Sequence, residues 1–290
     1  MHFYELARAK INLTLNVLGR RADGYHDIES LVTFADIGDR ITLDLGTGPK
    51  VSASGPFAGA IEGENLLETT LRLVHEGYPE VRLGAVALEK NLPVAAGLGG
   101  GSADAAALLR ALRHANKERS ASIDWGALAR RLGADVAVCL AGVPALMHGI
   151  GDIVDPLDET LRPPVLAAVL VNPRVPLPTA EVFGALALPA SARTASGRPP
   201  APPDVKDAAA LVDYMRARGN DLESAAMSLR TIIADVKAAL VRQPGNRIAA
   251  MTGSGATCFG IFTDDAAASA AAGALQRAHP QWWVAGTRLG

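Results

Sequence analysis

The feature that most constrains this chain is the glycine-rich run at 93–103. An apolar stretch at 86–88 precedes it, and strong helix formers follow to about Ala115, so the pattern predicts a strand, a loop and a helix. Glycine permits positive φ and removes the Cβ that would hold a ligand away. Backbone N–H groups at such a helix start converge on one point, which suits a phosphate group. The alternative to a phosphate site is a sharp strand-to-helix turn without a ligand. We predict that Ser102 caps the helix.

The loop residues predicted to bind a nucleotide are Pro93, Val94, Ala95, Ala96, Gly97, Leu98, Gly99, Gly100, Gly101, Ser102 and Ala103. The chain contains no Gly-Lys dipeptide, so a Walker A element is absent, and Ser102 breaks the Gly-x-Gly-x-x-Gly dinucleotide pattern. The run Pro-x-x-x-Gly-Leu-Gly-Gly-Gly-Ser resembles instead the phosphate loop of the GHMP kinases, which include galactokinase, homoserine kinase and mevalonate kinase.

This resemblance implies an α+β fold with two domains. The first, residues 1–155, is expected to bind the nucleotide and to resemble domain 2 of ribosomal protein S5. The second, residues 156–290, is expected to be ferredoxin-like. A second Gly-rich turn at 252–255 resembles the third motif of the family, which packs near the first loop, and Gly253 and Ser254 are therefore candidates for contact with the substrate.

The N-terminal segment alternates apolar residues from Ile11 to Val17 with polar ones, which predicts one half-buried strand. The polar face of this strand carries Lys10 and Asn12. These residues are either exposed to solvent or part of a functional site. The resemblance implies that Lys10 is catalytic and that Asn12 contacts the substrate. It also gives the catalytic role of proton acceptor to Asp135, in the run Gly-Ala-Asp-Val-x-Val; the alternative for Asp135 is a helix-capping role.

A hairpin turn is predicted at Asp23-Gly24, followed by Tyr25 and His26. An aromatic ring beside an imidazole can stack on a base and hydrogen-bond its edge. The segment resembles that of GHMP kinases whose acceptor is a cytidine diphosphate-linked sugar alcohol, which implies that Tyr25 and His26 hold the cytosine. Phe183 would face the base from the other side, although a core position explains this phenylalanine equally well.

Two further residues are candidates for nucleotide contact by resemblance. Asn65 precedes a helix predicted from Leu66, and it is either part of the adenine pocket or the helix N-cap. Lys90 precedes the loop, where the family has a basic residue near the nucleotide. ATP and Mg²⁺ are the implied cofactors, with no metal site made by protein side chains alone. The family also leaves open another acceptor, of the homoserine or mevalonate type, or a non-catalytic nucleotide-binding module.

The composition is typical of an enzyme that acts on a small metabolite. The net charge of −2 and the sequence pI of about 6.3 give no reason to expect nucleic acid or a membrane as partner. No signal peptide or membrane span is recognisable, and two cysteines suggest buried thiols, so we expect a cytoplasmic enzyme that is a monomer or homodimer. The proline-rich stretch 196–203 is typical of an exposed loop.

Overall fold

The computed structural model describes residues 1–186, 205 and 207–290, so the proline-rich stretch 196–203 lies outside the described residues. Its strands are β1 (His2–Asn12), β2 (Asn16–Arg20), β3 (His26–Asp44), β4 (Lys50–Ser54), β5 (Ala85–Glu89), β6 (Ala145–Gly149), β7 (Ile153–Pro156), β8 (Leu166–Asn172), β9 (Asn246–Met251), β10 (Cys258–Phe262) and β11 (Trp283–Leu289). Its helices are α1 (Leu66–Gly77), α2 (Gly100–Ala115), α3 (Trp125–Leu132), α4 (Ala134–Ala141), α5 (Thr179–Ala185), α6 (Ala208–Arg218), α7 (Glu223–Leu229), α8 (Ile232–Val241) and α9 (Asp265–Ala278).

The chain forms two compact units, and both are built from separate stretches of sequence. The first comprises Met1–Ala9, Ile37–Val94 and Gly99–Gly142, and the second Lys10–Asp36, Ala95–Leu98 and Val143–Gly290. These bounds differ from the division at residue 155, because the N-terminal strand and the glycine-rich loop each contribute to both units. A division into two evolutionary domains at that point stays a prediction.

In the first unit, α1, α2 and α3 contact one another, and α1 also contacts β4. Strand β5 pairs antiparallel with the end of β3, from Arg40 opposite Glu89 to Asp44 opposite Ala85. Strands β3 and β4 follow each other in the chain but do not pair, because β4 runs parallel to β5 on its other side. A parallel partner needs no hairpin turn, so the pairing leaves no local signal in the sequence.

The second unit contains a four-stranded antiparallel sheet in the order β11-β8-β10-β9. With α5–α8 between β8 and β9 and α9 between β10 and β11, the order is β-α-β-β-α-β, which confirms the ferredoxin-like half. The sequence of β9, Asn-Arg-Ile-Ala-Ala-Met, lacks a clear alternation, so its pattern does not predict a strand. A buried cluster that includes Val169, Leu240 and Cys258 fills the space between sheet and helices.

The single strand expected through Ile11–Val17 is wrong. Strand β1 ends at Asn12 and β2 begins at Asn16, and between them the Leu15 amide donates to the Gly219 carbonyl at 3.0 Å. The polar face is also not solvated, because Lys10 and Asn12 are both buried. The hairpin at Asp23-Gly24 is confirmed, since β2 and the start of β3 pair antiparallel around it.

The two cysteines, Cys139 and Cys258, are free and buried, as expected. Burial raises the pKa of the Cys258 thiol well above its usual range. Within the ranges that the structure describes, no helix combines the length and the apolar character needed to cross a bilayer.

Candidate active site

The glycine-rich run turns into α2 at Gly99, which takes a left-handed conformation with φ 63° and caps the helix without a side-chain hydrogen bond. The expectation that Ser102 is the N-cap is therefore wrong; Ser102 lies within the first helical turn. Glycine carries no steric penalty at this φ, so the helix begins earlier than serine capping would allow. The first N–H groups of an α-helix have no partner within the helix, and here no side chain caps them. This helix start has the form of an anion-binding site.

Gly97 is fixed by direct backbone contact with the second Gly-rich turn. Its φ is +73°, and a Cβ there would lie 2.6 Å from the Thr252 carbonyl oxygen and 2.8 Å from that of Gly255. In return, a Cβ on Gly253, whose φ is +57°, would lie 2.8 Å from the Gly97 carbonyl oxygen. The second unit thus confirms that the two Gly-rich segments pack together, and only glycine permits this approach.

Buried hydroxyl groups hold the same two segments in register. The Thr257 hydroxyl donates to the Ala96 carbonyl at 2.5 Å and accepts a hydrogen bond from the Asn172 side-chain amide at 2.9 Å. The Thr252 hydroxyl accepts from the Asn12 backbone N–H at 2.9 Å. Each link ties the glycine turns to a strand, so the loop is positioned by the sheet of the second unit.

Lys10 and Asn12 lie next to this assembly at the end of β1. The Lys10 backbone N–H donates to the Leu98 carbonyl at 2.9 Å, which joins the strand directly to the loop. The Asn12 side-chain amide donates to the Ser30 hydroxyl at 2.7 Å, and that hydroxyl donates onward to the Thr14 carbonyl. The Asn12 Oδ1 atom is buried and has no hydrogen-bond partner among the described residues, which leaves one acceptor unsatisfied at this position.

The β2–β3 hairpin presents the predicted base-binding rings. Phe183 stacks on His26 with ring centroids 4.8 Å apart, whereas Tyr25 is 61 % exposed. Aromatic rings in direct contact have centroids about 4.5–7 Å apart, so His26 and Phe183 touch each other and leave no room for a base between them. Burial, and then the nearby Arg20 guanidinium, lower the pKa of His26, which keeps the imidazole neutral at pH 7. A neutral imidazole both donates and accepts a hydrogen bond.

Ser254 also lies in the second Gly-rich turn. It is buried, and its hydroxyl shares a hydrogen bond of 2.9 Å with Thr179, at the start of α5. The Asn220 side-chain amide donates to the carbonyls of Met251 and Gly253, both at 2.9 Å. The turn is therefore held from two sides.

Two predicted nucleotide contacts have structural partners in the first unit. Asn65 is the N-cap of α1, and its side chain accepts a hydrogen bond from the Leu67 N–H at 3.0 Å. The Lys90 ammonium is buried and lies 2.6 Å from one oxygen each of Asp39 and Asp104. Contact of either residue with a nucleotide stays a prediction.

Asp135 is the second residue of α4 and is half-buried in the first unit. The helix that it opens begins after Gly133, and no side chain caps it. A carboxylate in a first turn is stabilised by the positive end of the helix dipole. The catalytic role of Asp135 stays a prediction.

Sequence reasoning missed several residues that shape the site. Thr252, Thr257 and Asn172 were not singled out, because their partners lie 85–240 positions away. Asp39 gave no signal in the sequence either, since it follows an ordinary strand pattern. The Thr-Gly-Ser-Gly turn was the one available sign of this packing.

Comparison with known proteins agrees with this geometry. The family model of the GHMP kinase N-terminal domain matches residues 65–143, and that of the GHMP kinase C-terminal domain matches residues 202–281. A 4-diphosphocytidyl-2-C-methyl-D-erythritol kinase of Rhodopseudomonas palustris (strain HaA2) is 46% identical over 288 residues, covering 96% of this chain and 95% of that protein. The enzyme of the same name from Nitrobacter winogradskyi is 48% identical and covers 97% and 92%.

Solved structures give the same result. A crystal structure of 4-(cytidine 5'-diphospho)-2C-methyl-D-erythritol kinase superposes with a TM-score of 0.75 at 34% identity, covering 99% of this chain and all of that one. A homoserine kinase from Cytophaga hutchinsonii has a TM-score of 0.70 at 18% identity, with 99% and 95% covered, and shows the fold alone. The two-domain α+β fold expected from the sequence is confirmed.

Proposed function

This chain belongs to the GHMP kinase family, among its 4-diphosphocytidyl-2-C-methyl-D-erythritol kinases, and from this premise we infer how its residues carry out the reaction. It is an ATP-dependent small-molecule kinase that phosphorylates the 2-hydroxyl of 4-diphosphocytidyl-2-C-methyl-D-erythritol in the non-mevalonate route to isoprenoids. The observation that carries this assignment is identity of about half of all positions along nearly the whole chain.

We propose that the loop at 93–103 holds the phosphates of ATP. The fit is supported by the left-handed Gly99, by the start of α2 without a side-chain cap, and by the space around Gly101. No described atom outside the backbone of α2 and the neighbouring residues lies within 4 Å of a Cβ placed on Gly101. Mg²⁺ would neutralise phosphate charge and orient the transferred group. Among the described residues no cluster of three or more His, Cys, Asp or Glu side chains has metal-ligand spacing, so the phosphates and water would supply most of its ligands.

We propose that Asp135 accepts the proton of the acceptor hydroxyl and that Lys10 stabilises the negative charge that develops on it. Lys10 is well suited to a fixed position, because it is buried and its backbone bonds to the glycine-rich loop through Leu98. In phosphoryl transfer most of the catalysis is positioning and electrostatics, and an ammonium held by a rigid strand loses little entropy in the transition state.

The acceptor's cytosine would stack on the exposed Tyr25 ring, and the neutral His26 would bond its edge. The contact of His26 with Phe183 holds the imidazole in place, so Phe183 acts either through His26 or by turning to cover the base. The unpaired Oδ1 of Asn12 would accept a hydrogen bond from an acceptor hydroxyl. Gly253 and Ser254 stay candidates for substrate contact, with a structural role already evident.

Replacement of Asp135 by Asn tests the catalytic proposal. We expect kcat to fall by about 10²–10⁴, the usual contribution of a general base, while ADP affinity stays within threefold. The matched control is Asp235→Asn, which changes an exposed aspartate in the first turn of another helix, α8. Unchanged turnover in folded Asp135→Asn protein would remove Asp135 from the mechanism.

The alternatives predict different results in the same assay. Another GHMP kinase would phosphorylate homoserine or mevalonate in preference to the cytidine-bearing alcohol, and a non-catalytic module would bind ADP without phosphorylating any acceptor. We propose that the enzyme acts in the cytoplasm as a monomer or homodimer; sedimentation velocity distinguishes these two states.

A further inference from the structure

Three charged residues form a buried group beneath the start of α2. We propose that Asp39, Lys90 and Asp104, here called the Lys90 triad, position the phosphate-binding end of α2, and that Lys90 acts through these carboxylates and not on the nucleotide. The inference rests on the proposed binding of ATP phosphates at this helix end. It replaces the direct nucleotide contact that the sequence resemblance implies for Lys90.

The geometry places the Lys90 ammonium against the first residue of the helix. Its Nζ atom is 2.6 Å from Asp39 Oδ2 and 2.6 Å from Asp104 Oδ2. A Cβ added to Gly100 would lie 3.1 Å from the same Nζ. All three charged side chains are at most 4 % exposed, so solvent does not weaken these contacts. One ammonium therefore links the strand that carries Asp39 to the first two turns of α2.

Asp39 also fixes the chain that leads into the loop. Its Oδ1 accepts hydrogen bonds from the backbone N–H groups of Asn91 and Leu92, at 2.5 and 2.8 Å. The Lys90 backbone N–H donates to the Ser54 carbonyl at 2.7 Å. The same carboxylate thus holds the backbone before the loop and, through Lys90, the helix after it. The Asp39 carboxylate therefore positions the chain that enters the loop and also the helix that follows it.

The charges indicate positioning rather than direct attraction of phosphate. Two carboxylates and one ammonium leave one surplus negative charge when all three are ionised, so the triad does not attract an anion. The positive end of the α2 dipole offsets part of this surplus. Asp104 Oδ1 is buried and has no hydrogen-bond partner in the part of the chain that the structure describes, so Asp104 is the less satisfied of the two carboxylates. An asparagine at 104 keeps one oxygen for Lys90 and makes the triad neutral.

Replacing each of the two carboxylates by an amide should therefore have a different effect on nucleotide binding. In Asp39→Asn the new amide group turns a donor toward the Lys90 ammonium or toward the Asn91 and Leu92 N–H groups. We expect the dissociation constant for ADP and the KM for ATP to rise at least tenfold, with the KM for the acceptor within twofold of wild type. In Asp104→Asn we expect both nucleotide constants to stay within threefold. The control is Glu89→Gln, a partly exposed neighbour paired with Arg40, for which we expect no change.

ADP binding is measured by titration calorimetry on the full chain and KM by a coupled assay, after circular dichroism has shown that each variant is folded. If Asp39→Asn does not fold, Lys90→Met combined with Asp104→Asn removes the link to α2 and keeps the net charge of the group at −1, with Asp39 still held by the Asn91 and Leu92 N–H groups. ADP binding should then weaken at least fivefold. A folded Asp39→Asn protein, or a folded double variant, that binds ADP like wild type would overturn the proposal, and so would a parallel rise of both KM values in Asp39→Asn. ADP binding reports on the triad even if no acceptor is phosphorylated, so failure of the proposed function gives a different result.

Discussion

The substitution Gly97→Ala, which adds one methyl group, tests the contact between the two Gly-rich turns. A Cβ at this position would lie within 2.9 Å of three backbone atoms, the carbonyl oxygens of Thr252 and Gly255 and the Gly255 nitrogen. Backbone atoms cannot move aside as a flexible side chain does, so the turns must separate. The change also places alanine at a φ of +73°.

The expected loss of stability combines two destabilising effects and one that partly offsets them. Overpacking costs about 1–3 kcal/mol. A left-handed alanine costs about 1–2 kcal/mol. The smaller freedom of alanine in the unfolded chain returns about 0.4–1 kcal/mol. We therefore expect a loss of roughly 3 kcal/mol, and at about 2–4 °C per kcal/mol for a chain of this size the Tm falls by about 6–12 °C.

Two other glycines separate stability from nucleotide binding. Gly101 lies in the first turn of α2 and Gly77 in the last turn of α1. Among the described residues, a Cβ on either glycine would meet nothing within 4 Å apart from its own helix backbone and chain neighbours. Gly101→Ala should keep its stability but raise the KM for ATP, because the methyl group enters the proposed phosphate site. Gly77→Ala should change neither property by much. Tm by calorimetry and KM by a coupled assay are measured on all three variants; a Gly97→Ala protein as stable as Gly77→Ala would refute the contact.

Three further expectations concern the same region. Burial raises the pKa of Asp104 to about 7, although Lys90 lowers it, so the stability that this group contributes is complete below about pH 4 and is lost as the pH rises toward 7. In urea unfolding, Asp104→Asn should therefore gain stability relative to wild type between pH 5.5 and 8, and a constant difference would contradict the burial argument. Ala95 has a φ of 51°, so Ala95→Gly should stabilise the protein by up to about 1 kcal/mol, whereas a clear drop in Tm would argue against this backbone. Thr257→Val removes a buried hydroxyl between Asn172 and the Ala96 carbonyl and should lower the free energy of unfolding by about 1–3 kcal/mol in the same urea assay, with no loss contradicting that role.

Local patterns predicted much of the fold. The helix after the glycine run ends at Ala115 as expected, and the hairpin around Asp23-Gly24 is present. These features depend on residues close in sequence, whose propensities and turn preferences act locally. The placement of β4 beside β5 and the existence of β9 depend on distant pairing, which leaves no periodic signal.

The candidate site shows the same limit at the level of single residues. The glycine-rich loop could be recognised because its composition is unusual. The partners of Lys90 could not, since Asp39 lies 51 positions before it and Asp104 lies 14 positions after it, inside a helix. A lysine beside a phosphate loop is naturally assigned to the phosphate, and only the fold reveals that two carboxylates already hold it.

The central claim is that this chain transfers the terminal phosphate of ATP to an alcohol that carries cytidine diphosphate. Phosphorus NMR of purified protein with ATP, Mg²⁺ and 4-diphosphocytidyl-2-C-methyl-D-erythritol tests it directly. We expect ADP and one new phosphomonoester signal to appear in equal amounts while the diphosphate bridge to cytidine stays intact. ATP that remains unchanged, or that yields only inorganic phosphate, would contradict the account.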